Sequence, residues 1–139
     1  MYYPTLQQVE EMSDKCNLVP VSHEITADLD TPVSAYLKVA RRPYSFLLES
    51  VEGGQRIARY SFIGTEPYDV IKTGKGQTYG SVDPLIPVQK ALEKMTVPRM
   101  QGAVPFDGGA VGYLSYDASS YFERLPSPER DPLGLPESV

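Results

Sequence analysis

The 139-residue sequence contains too little cysteine and histidine for the chemistry that these side chains usually perform. Cys16 is the single cysteine, which excludes an internal disulfide and with it the disulfide frameworks of small secreted proteins. His23 is the single histidine, and a proline-interrupted segment separates it from Cys16, which disfavours a Cys–His nucleophilic pair. A zinc site needs more thiolate or imidazole ligands than these two residues supply.

Charge and hydropathy exclude further classes of function. The formal net charge is -5, and no run of basic residues of the kind that neutralises phosphates is present, so we expect no nucleic-acid partner. The sequence has no signal peptide and no apolar run long enough to span a bilayer, so we expect no membrane association and a cytoplasmic location. With 41% hydrophobic and 22% charged residues, the composition is that of a globular domain.

Helix and strand patterns alternate along the chain. Three helices are predicted to begin at capping residues, namely Thr5, Thr31 followed by Pro32, and Asp83 followed by Pro84. Apolar alternation predicts strands over residues 17–25, 44–51, 57–63, 68–73, 77–79 and 109–116. Consecutive hairpins with segregated helices predict an α+β fold, with a largely antiparallel β-sheet and a few flanking helices.

The predicted domain covers residues 1–122, and residues 123–139 are predicted to be an irregular connection. Four prolines crowd this last segment: Pro126, Pro128, Pro132 and Pro136. Because proline lacks the backbone donor and has a fixed φ, we expect the segment to form neither a helix nor a ladder.

The glycine-containing motifs do not indicate a phosphate site. The run Gly108-Gly109-Ala110-Val111-Gly112 lacks a following lysine or serine and leads into a predicted strand rather than a helix. Its glycines are interpreted as positions of close backbone approach or as a bulge. Gly74-Lys75-Gly76 is interpreted as a hairpin turn.

The main candidate site is a carboxylate at the end of an apolar strand. Alternation places Leu48 and Ser50 on one face and Glu49 on the other, with Arg59 near the start of the next strand. Glu49 either pairs with Arg56 or Arg59 at the surface, or accepts a hydrogen bond from the ammonium group of a ligand, with Ser50 completing the contacts. From the residues alone, the chain is interpreted as a small-molecule or protein-binding domain rather than a self-sufficient enzyme.

Several motifs resemble the beginning of anthranilate synthase component I, a member of the chorismate-using superfamily, and they follow the family's order over nearly the whole chain. The motifs are Asp28-Leu29-Asp30-Thr31-Pro32-Val33-Ser34-Ala35-Tyr36-Leu37-Lys38, Phe46-Leu47-Leu48-Glu49-Ser50-Val51-Glu52-Gly53-Gly54, Arg59-Tyr60-Ser61-Phe62-Ile63-Gly64 and Gly108-Gly109-Ala110-Val111-Gly112-Tyr113-Leu114-Ser115-Tyr116-Asp117.

The resemblance implies an L-tryptophan feedback site, because the family's Leu-Leu-Glu-Ser element lines that site. Carried over to this chain, the inhibitor-binding residues are Leu48, Glu49, Ser50 and Arg59. Glu49 would face the ammonium group and Ser50 would hydrogen-bond the polar end of the amino acid. Arg59 lies at a position where some members have lysine. It would pair with the carboxylate of the amino acid or hold Glu49 in place. No catalytic residue is expected in this chain.

The resemblance also implies that this chain is the N-terminal part of a larger two-layer α/β sandwich. The chorismate site and its Mg²⁺ ligands would belong to a catalytic domain beyond Val139. The complete enzyme, a lyase, would convert chorismate and ammonia to anthranilate and pyruvate, with ammonia from a glutamine amidotransferase subunit, component II. We expect the chain alone to hold no cofactor and to be inactive.

Two alternatives remain open from the sequence. The first is the corresponding part of aminodeoxychorismate synthase component I in the folate pathway, which shares much of the pattern. The second is a free-standing amino-acid-binding or docking module without a catalytic half.

Overall fold

A computed structural model of the chain describes residues 2–49, 60–100, 106–126, 131 and 133–139. Within them the helices and strands are β1 (Tyr2–Tyr3), α1 (Leu6–Ser13), β2 (Ser22–His23), α2 (Pro32–Val39), β3 (Ser45–Glu49), β4 (Ser61–Thr65) and α3 (Leu85–Leu92), followed by a 3₁₀ helix, Tyr116–Tyr121. The strands form two small sheets, β1–β2 and β3–β4. The predicted α+β class is therefore confirmed.

The chain divides into two compact units, which are described separately. Unit 1 comprises residues 23–69 and contains α2, β3 and β4. Unit 2 comprises residues 2–22 and 70–139 and contains α1, α3 and the 3₁₀ helix.

The first two helices begin where their capping residues predict. The hydroxyl of Thr5 accepts a hydrogen bond from the backbone N–H of Gln8, whose side chain accepts in turn from the N–H of Thr5 at 2.9 Å. Thr31 and Ser34 form the same reciprocal pair at the start of α2, with Pro32 in the first turn. Each reciprocal pair is a capping box, which supplies acceptors for N–H groups that the first turn of a helix leaves without partners. Such a cap typically stabilises a helix by about 1 kcal/mol.

The third helix begins one residue later than a cap at Asp83 would place it. α3 starts at Leu85, after Pro84, and the Asp83 carboxylate accepts a hydrogen bond from the N–H of Leu85 at 2.9 Å. Asp83 therefore supplies the predicted acceptor, while the buried ring of Pro84 occupies the position directly before the helix.

In unit 1, β3 and β4 pair antiparallel and α2 packs on one face of the pair. The Tyr36 hydroxyl in α2 lies 3.0 Å from the hydroxyl of Ser45 in β3. Directly after α2, the N–H of Arg41 donates to the hydroxyl of Thr65, the cross-strand partner of Ser45, also at 3.0 Å. These contacts identify the face that carries Ser45 and Thr65 as the α2 face.

The opposite face of the hairpin carries an aromatic ring laid across a glycine. Phe46 pairs with Gly64, and a Cβ built on Gly64 would overlap the Phe46 ring. The ring occupies the space that a side chain would take on β4. Since Ser45 faces α2 and Phe46 faces away, the alternation predicted for this strand is confirmed where the structure describes it.

In unit 2, Asn17 joins the segment after α1 to the segment after α3. Its side-chain amide donates to the Lys94 carbonyl oxygen at 2.6 Å and accepts from the N–H of Thr96 at 2.7 Å, and its own N–H donates to the Thr96 carbonyl at 3.1 Å. The predicted strand over residues 17–25 is wrong except at Ser22–His23, because Asn17 bonds this segment to a loop and Pro20 has no N–H to donate.

The strands predicted over residues 68–73, 77–79 and 109–116 are also wrong. Gly74-Lys75-Gly76 does form the predicted turn, in which the N–H of Gln77 donates to the Gly74 carbonyl at 3.0 Å. The chain continues through further turns rather than into a strand. In these segments only Thr73 and Leu114 take part in β-bridges, and both bridges are to Ser138.

The described residues of the segment 123–139 form no helix or strand, and the backbone pairing at its end consists of isolated β-bridges. Ser138 makes antiparallel bridges to Thr73 and Leu114. No proline follows Pro136, so residue 137 and its successors keep the N–H donors that a ladder needs. Residues 127–130 and 132 lie outside the described residues, and the boundary at residue 122 stays a prediction.

None of the helices in the described part of the chain is both long and apolar enough to cross a membrane.

Candidate functional site

The candidate site lies at the last pair of the β3–β4 ladder. Glu49 pairs with Ser61, and Leu48 pairs with Phe62 one step before it. Of the four predicted inhibitor-binding residues, the structure therefore locates Leu48 and Glu49. Ser50 and Arg59 lie outside the described residues, as does Arg56, the other candidate partner of Glu49.

Glu49 and Ser61 present a carboxylate and a hydroxyl on one face of the hairpin. Alternation from Ser45 places Glu49 on the α2 face, and both Glu49 and Ser61 are exposed there. Directly opposed residues of an antiparallel pair have Cβ atoms about 4.5–5.5 Å apart, close enough for both side chains to contact one small ligand.

The opposite face of the hairpin is apolar and aromatic at the same end. Leu48 is 46% exposed, and the ring of Tyr60 stacks on the ring of Phe62 with centroids 6.2 Å apart and an interplanar angle of 24°. Phe62 is the cross-strand partner of Leu48, so the aliphatic and aromatic groups form one surface.

Sequence reasoning missed Ser61 and the Tyr60–Phe62 pair. Tyr60 and Phe62 are two residues apart in the predicted strand, so alternation alone could have predicted that they lie on one face. Their opposition to Leu48 and Glu49 depends on the register of the two strands. The number of residues between the strands does not by itself specify that register.

The arrangement can bind a small zwitterion that carries an apolar group. Leu48 and Glu49 project to opposite faces, so one ligand contacts both side chains only at the end of the hairpin. There the exposed carboxylate of Glu49 is available to an ammonium group, and a charge-assisted hydrogen bond contributes about 1.5–3 kcal/mol. A flat ring packs favourably on aliphatic and aromatic side chains such as Leu48 and Tyr60.

The helix behind the hairpin is held at its start by an ion pair. The Lys38 ammonium lies 2.7 and 2.8 Å from the two carboxylate oxygens of Asp30, and the Ser34 hydroxyl donates to one of them at 2.8 Å. The hydrogen bond from Lys38, followed by that from Ser34, lowers the pKa of Asp30 below its usual value. This exposed pair ties the residue before the Thr31 cap to the last turn of α2, and it is expected to add little stability.

Metal binding has no support in the described part of the chain. No group of three or more histidine, cysteine, aspartate or glutamate residues there is placed to hold a metal ion. The Mg²⁺ site that the family resemblance implies belongs to the catalytic domain and stays a prediction.

The comparisons with known proteins agree on one family name. The chain is 43% identical over 141 residues to a probable anthranilate synthase component 1 of Schizosaccharomyces pombe, covering 99% of the chain and 28% of the relative. It is 38% identical over 147 residues to anthranilate synthase component 1 of Acetivibrio thermocellus, covering 99% of the chain and 30% of the relative. It is 41% identical over 138 residues to anthranilate synthase component 1 of Pseudomonas aeruginosa, covering 90% of the chain and 28% of the relative.

The chain thus spans less than a third of the length of these curated relatives. No family model matches it, and no solved structure is significantly similar to it. The resemblance predicted from the motifs is nevertheless confirmed: over nearly its entire length, the chain is related to anthranilate synthase component 1.

Proposed function

We propose that this chain forms the regulatory, L-tryptophan-binding part of an anthranilate synthase component I. The observation that carries the proposal is the end of the β3–β4 hairpin, where exposed Glu49 and Ser61 adjoin the surface formed by Leu48, Tyr60 and Phe62. A carboxylate next to an aliphatic and aromatic surface matches the ammonium group and the indole ring of tryptophan.

In the proposed binding mode, Glu49 accepts a hydrogen bond from the ammonium group of the inhibitor. The indole ring packs against Leu48 and Tyr60, which are 46% and 42% exposed. Ser50 and Arg59 are assigned to the polar end of tryptophan on the family resemblance alone.

For the whole protein, we propose the reaction that gives the relatives their name. Chorismate and ammonia would be converted to anthranilate and pyruvate in the cytoplasm, with ammonia from a glutamine amidotransferase, component II, and with Mg²⁺ in the catalytic domain. Two points support this assignment: the relatives are called component 1, and they are more than three times as long as the part that matches here. The chain alone is expected to be inactive.

Feedback inhibition would then be a coupling between this unit and a chorismate site outside it. Such coupling is reciprocal, so tryptophan bound at the hairpin weakens chorismate binding by the same factor by which chorismate weakens tryptophan binding. Measuring both affinities in the complete enzyme tests this equality.

The binding test uses NMR titration of the ¹⁵N-labelled chain with L-tryptophan, and L-tyrosine and D-tryptophan as comparison ligands. We expect saturable shifts at the amides of Leu48, Glu49 and Ser61 with L-tryptophan. Glu49→Gln should weaken binding about tenfold, the equivalent of about 1.4 kcal/mol. The matched control is Glu24→Gln, another exposed glutamate of unit 1, which should leave the affinity unchanged.

Equal tryptophan affinity for the wild-type chain and Glu49→Gln would remove Glu49 from the site. Shifts spread evenly over unit 1 would contradict a site at the hairpin end. For the whole enzyme, product analysis with chorismate and glutamine should yield anthranilate, and aminodeoxychorismate as the product would overturn the assignment to the tryptophan pathway.

A further inference from the structure

Gly64 occupies an interior position of β4 where the backbone conformation does not require glycine. Its φ lies outside the left-handed region that favours glycine. Glycine weakens the interior of a strand, because it loses the most conformational freedom on folding and has no side chain to pack. A need for space, rather than for an unusual backbone conformation, therefore explains the glycine at this position.

The space at Gly64 is filled by the ring of Phe46. A Cβ on Gly64 would overlap the Cε1 and Cζ atoms of this ring and lie 2.8 Å from its Cδ1, and these are the nearest heavy atoms. Phe46 belongs to β3, so its ring extends across the ladder onto the neighbouring strand. Thr65, the next residue of β4, makes its contact with Arg41 on the opposite face. The glycine thus serves the face that α2 does not cover.

From Gly64, aromatic rings continue along β4 toward the candidate site. Phe62 is the next residue of β4 on the same face, and it is the diagonal neighbour of Phe46 in the ladder, a separation within reach of aromatic side chains. The Phe62 ring stacks in turn on the ring of Tyr60, with centroids 6.2 Å apart. This face therefore carries a row of rings that begins at Phe46 and ends at Tyr60.

Exposure increases along the row toward the candidate site. Phe46 and Phe62 are half-buried, whereas Tyr60 is 42% exposed and the adjoining Leu48 is 46% exposed. An aromatic side chain at a surface keeps one orientation only when neighbouring groups restrict its rotamers. The orientation of the Tyr60 ring therefore depends on Phe62, and that of the Phe62 ring depends on Phe46.

We propose that Gly64 and Phe46 are positioning residues of the tryptophan site. The Phe46 ring lies in the space that Gly64 leaves, and it holds Phe62, and through it Tyr60, in the orientation that packs against a planar side chain of the ligand. Neither Gly64 nor Phe46 contacts the ligand itself. The inference rests on the proposed function and adds to it the feature that selects aromatic over aliphatic amino acids.

The test compares the affinities of the chain for L-tryptophan and L-leucine, two amino acids with the same ammonium and carboxylate groups. The ratio of the two dissociation constants is measured by NMR titration at the amides of Leu48 and Glu49. Gly64→Ala displaces the Phe46 ring and should lower the preference for tryptophan about fivefold, the equivalent of about 1 kcal/mol. Phe46→Leu removes the ring without introducing an overlap, and it should lower the preference by a similar factor.

In the Phe46→Leu background, Gly64→Ala should have no further effect on this preference, because it acts only through the ring. The matched control is Thr65→Val, which removes the hydroxyl that accepts a hydrogen bond from the N–H of Arg41 on the opposite face. A loss of stability alone weakens the binding of both ligands by the same factor, so this control should keep the wild-type preference. An unchanged preference in Gly64→Ala and Phe46→Leu, or an equal change in Thr65→Val, overturns the inference.

A measurement without ligand separates the inference from the proposed function. In the free chain, Phe46→Leu should remove the ring-current shift of the Gly64 Hα protons and change the ring signals of Tyr60, whereas Thr65→Val should leave the Tyr60 signals unchanged. Unchanged Tyr60 signals in Phe46→Leu overturn the inference even when the wild-type chain binds tryptophan. Altered Tyr60 signals together with no saturable tryptophan binding support the positioning of the rings and refute the proposed function.

Discussion

The β3–β4 hairpin of unit 1 and the bridges made by Ser138 in unit 2 are both antiparallel pairings, but they depend on different information. The hairpin joins strands that follow one another in the chain, with five residue pairs in register. The second pairing joins Ser138 to Thr73, 65 positions earlier, through one isolated bridge and a buried pair of hydroxyls. Local alternation predicts the strands of the first pairing though not their register, whereas the second pairing requires distant segments of matching shape.

The two regions also differ in what their glycines leave room for, a side chain in the hairpin and backbone in unit 2. Gly64 in the hairpin leaves room for the ring of Phe46, a side chain that can rotate. Gly112 in unit 2 leaves room for the backbone of Val139, which cannot move without breaking its hydrogen bonds. The comparison predicts that a glycine-to-alanine substitution costs more free energy of unfolding at Gly112 than at Gly64.

The largest expected effect is that of Gly112→Ala. Overpacking costs about 1–3 kcal/mol, and each lost hydrogen bond adds about 0.5–1.5 kcal/mol, so we expect unit 2 to lose about 3 kcal/mol in free energy of unfolding. Urea unfolding with residue-resolved hydrogen exchange measures the loss. The control is Gly108→Ala, where an added Cβ meets no heavy atom within 4 Å. Equal effects of the two substitutions would refute the close-approach explanation.

Gly64→Ala should cost about 1 kcal/mol, because the Phe46 ring can move aside and lose part of its packing. A double-mutant cycle with Phe46→Leu isolates the contact, and the loss should shrink when Gly64→Ala is made in the Phe46→Leu variant. The free energy of unfolding of unit 1 is the quantity measured. A larger cost than that of Gly112→Ala would reverse the comparison between the two regions.

Tyr121→Phe removes the hydrogen bond to Glu137 and should cost unit 2 about 1 kcal/mol at neutral pH. Burial, followed by the hydrogen bond to Glu137, raises the pKa of Tyr121 above 10.0. A raised pKa in the folded state means that the contribution is fully present below pH 10 and is lost as the pH rises through the folded pKa. Unfolding measured from pH 8 to 12, at about one-unit intervals, tests this sign.

The matched control is Tyr116→Phe, since the Tyr116 side chain is 87% exposed. This variant should keep the alkaline loss of stability that Tyr121→Phe reduces. An identical pH profile for Tyr121→Phe and the wild-type chain would exclude Tyr121 as its source.

The smallest expected effect concerns Lys38→Met. Removing the ammonium should raise the pKa of Asp30 toward 3.8, measured by NMR titration of the carboxyl carbon. Because the pKa of Asp30 is lowered in the folded state, its contribution to stability is present above pH 3.8 and is lost as the pH falls through the folded pKa. Lys90→Met, in the last turn of α3, is the control and should leave the Asp30 titration unchanged.

The elements that sequence reasoning placed well are those with a local physical cause. The capping boxes at Thr5 and Thr31 act within one turn, so their residues are visible in any short window. The hairpin strands were found from alternation, though β4 runs to Thr65, two residues beyond the predicted end. For the site, Leu48 and Glu49 lie in β3 as predicted, and their role in binding tryptophan stays a prediction.

The elements that were misplaced depend on partners far away in the sequence. Residues 17–25 and 109–116 alternate like strands, yet their backbone donors and acceptors bond to Thr96, Glu137 and Val139. The isolated bridges at Ser138 were not predicted from the proline-rich last segment, because they need only three consecutive residues without proline.

By itself, the sequence determined the starts of the first two helices, the alternating faces of β3 and the relationship to anthranilate synthase component 1. These features depend on interactions within a few residues or on the order of the residues themselves. Only the tertiary structure decided that Ser61 opposes Glu49 and that residues 136–139 lie between Thr73 and Tyr113. Register and long-range pairing depend on loop geometry and on the shape of distant backbone, which no local pattern encodes.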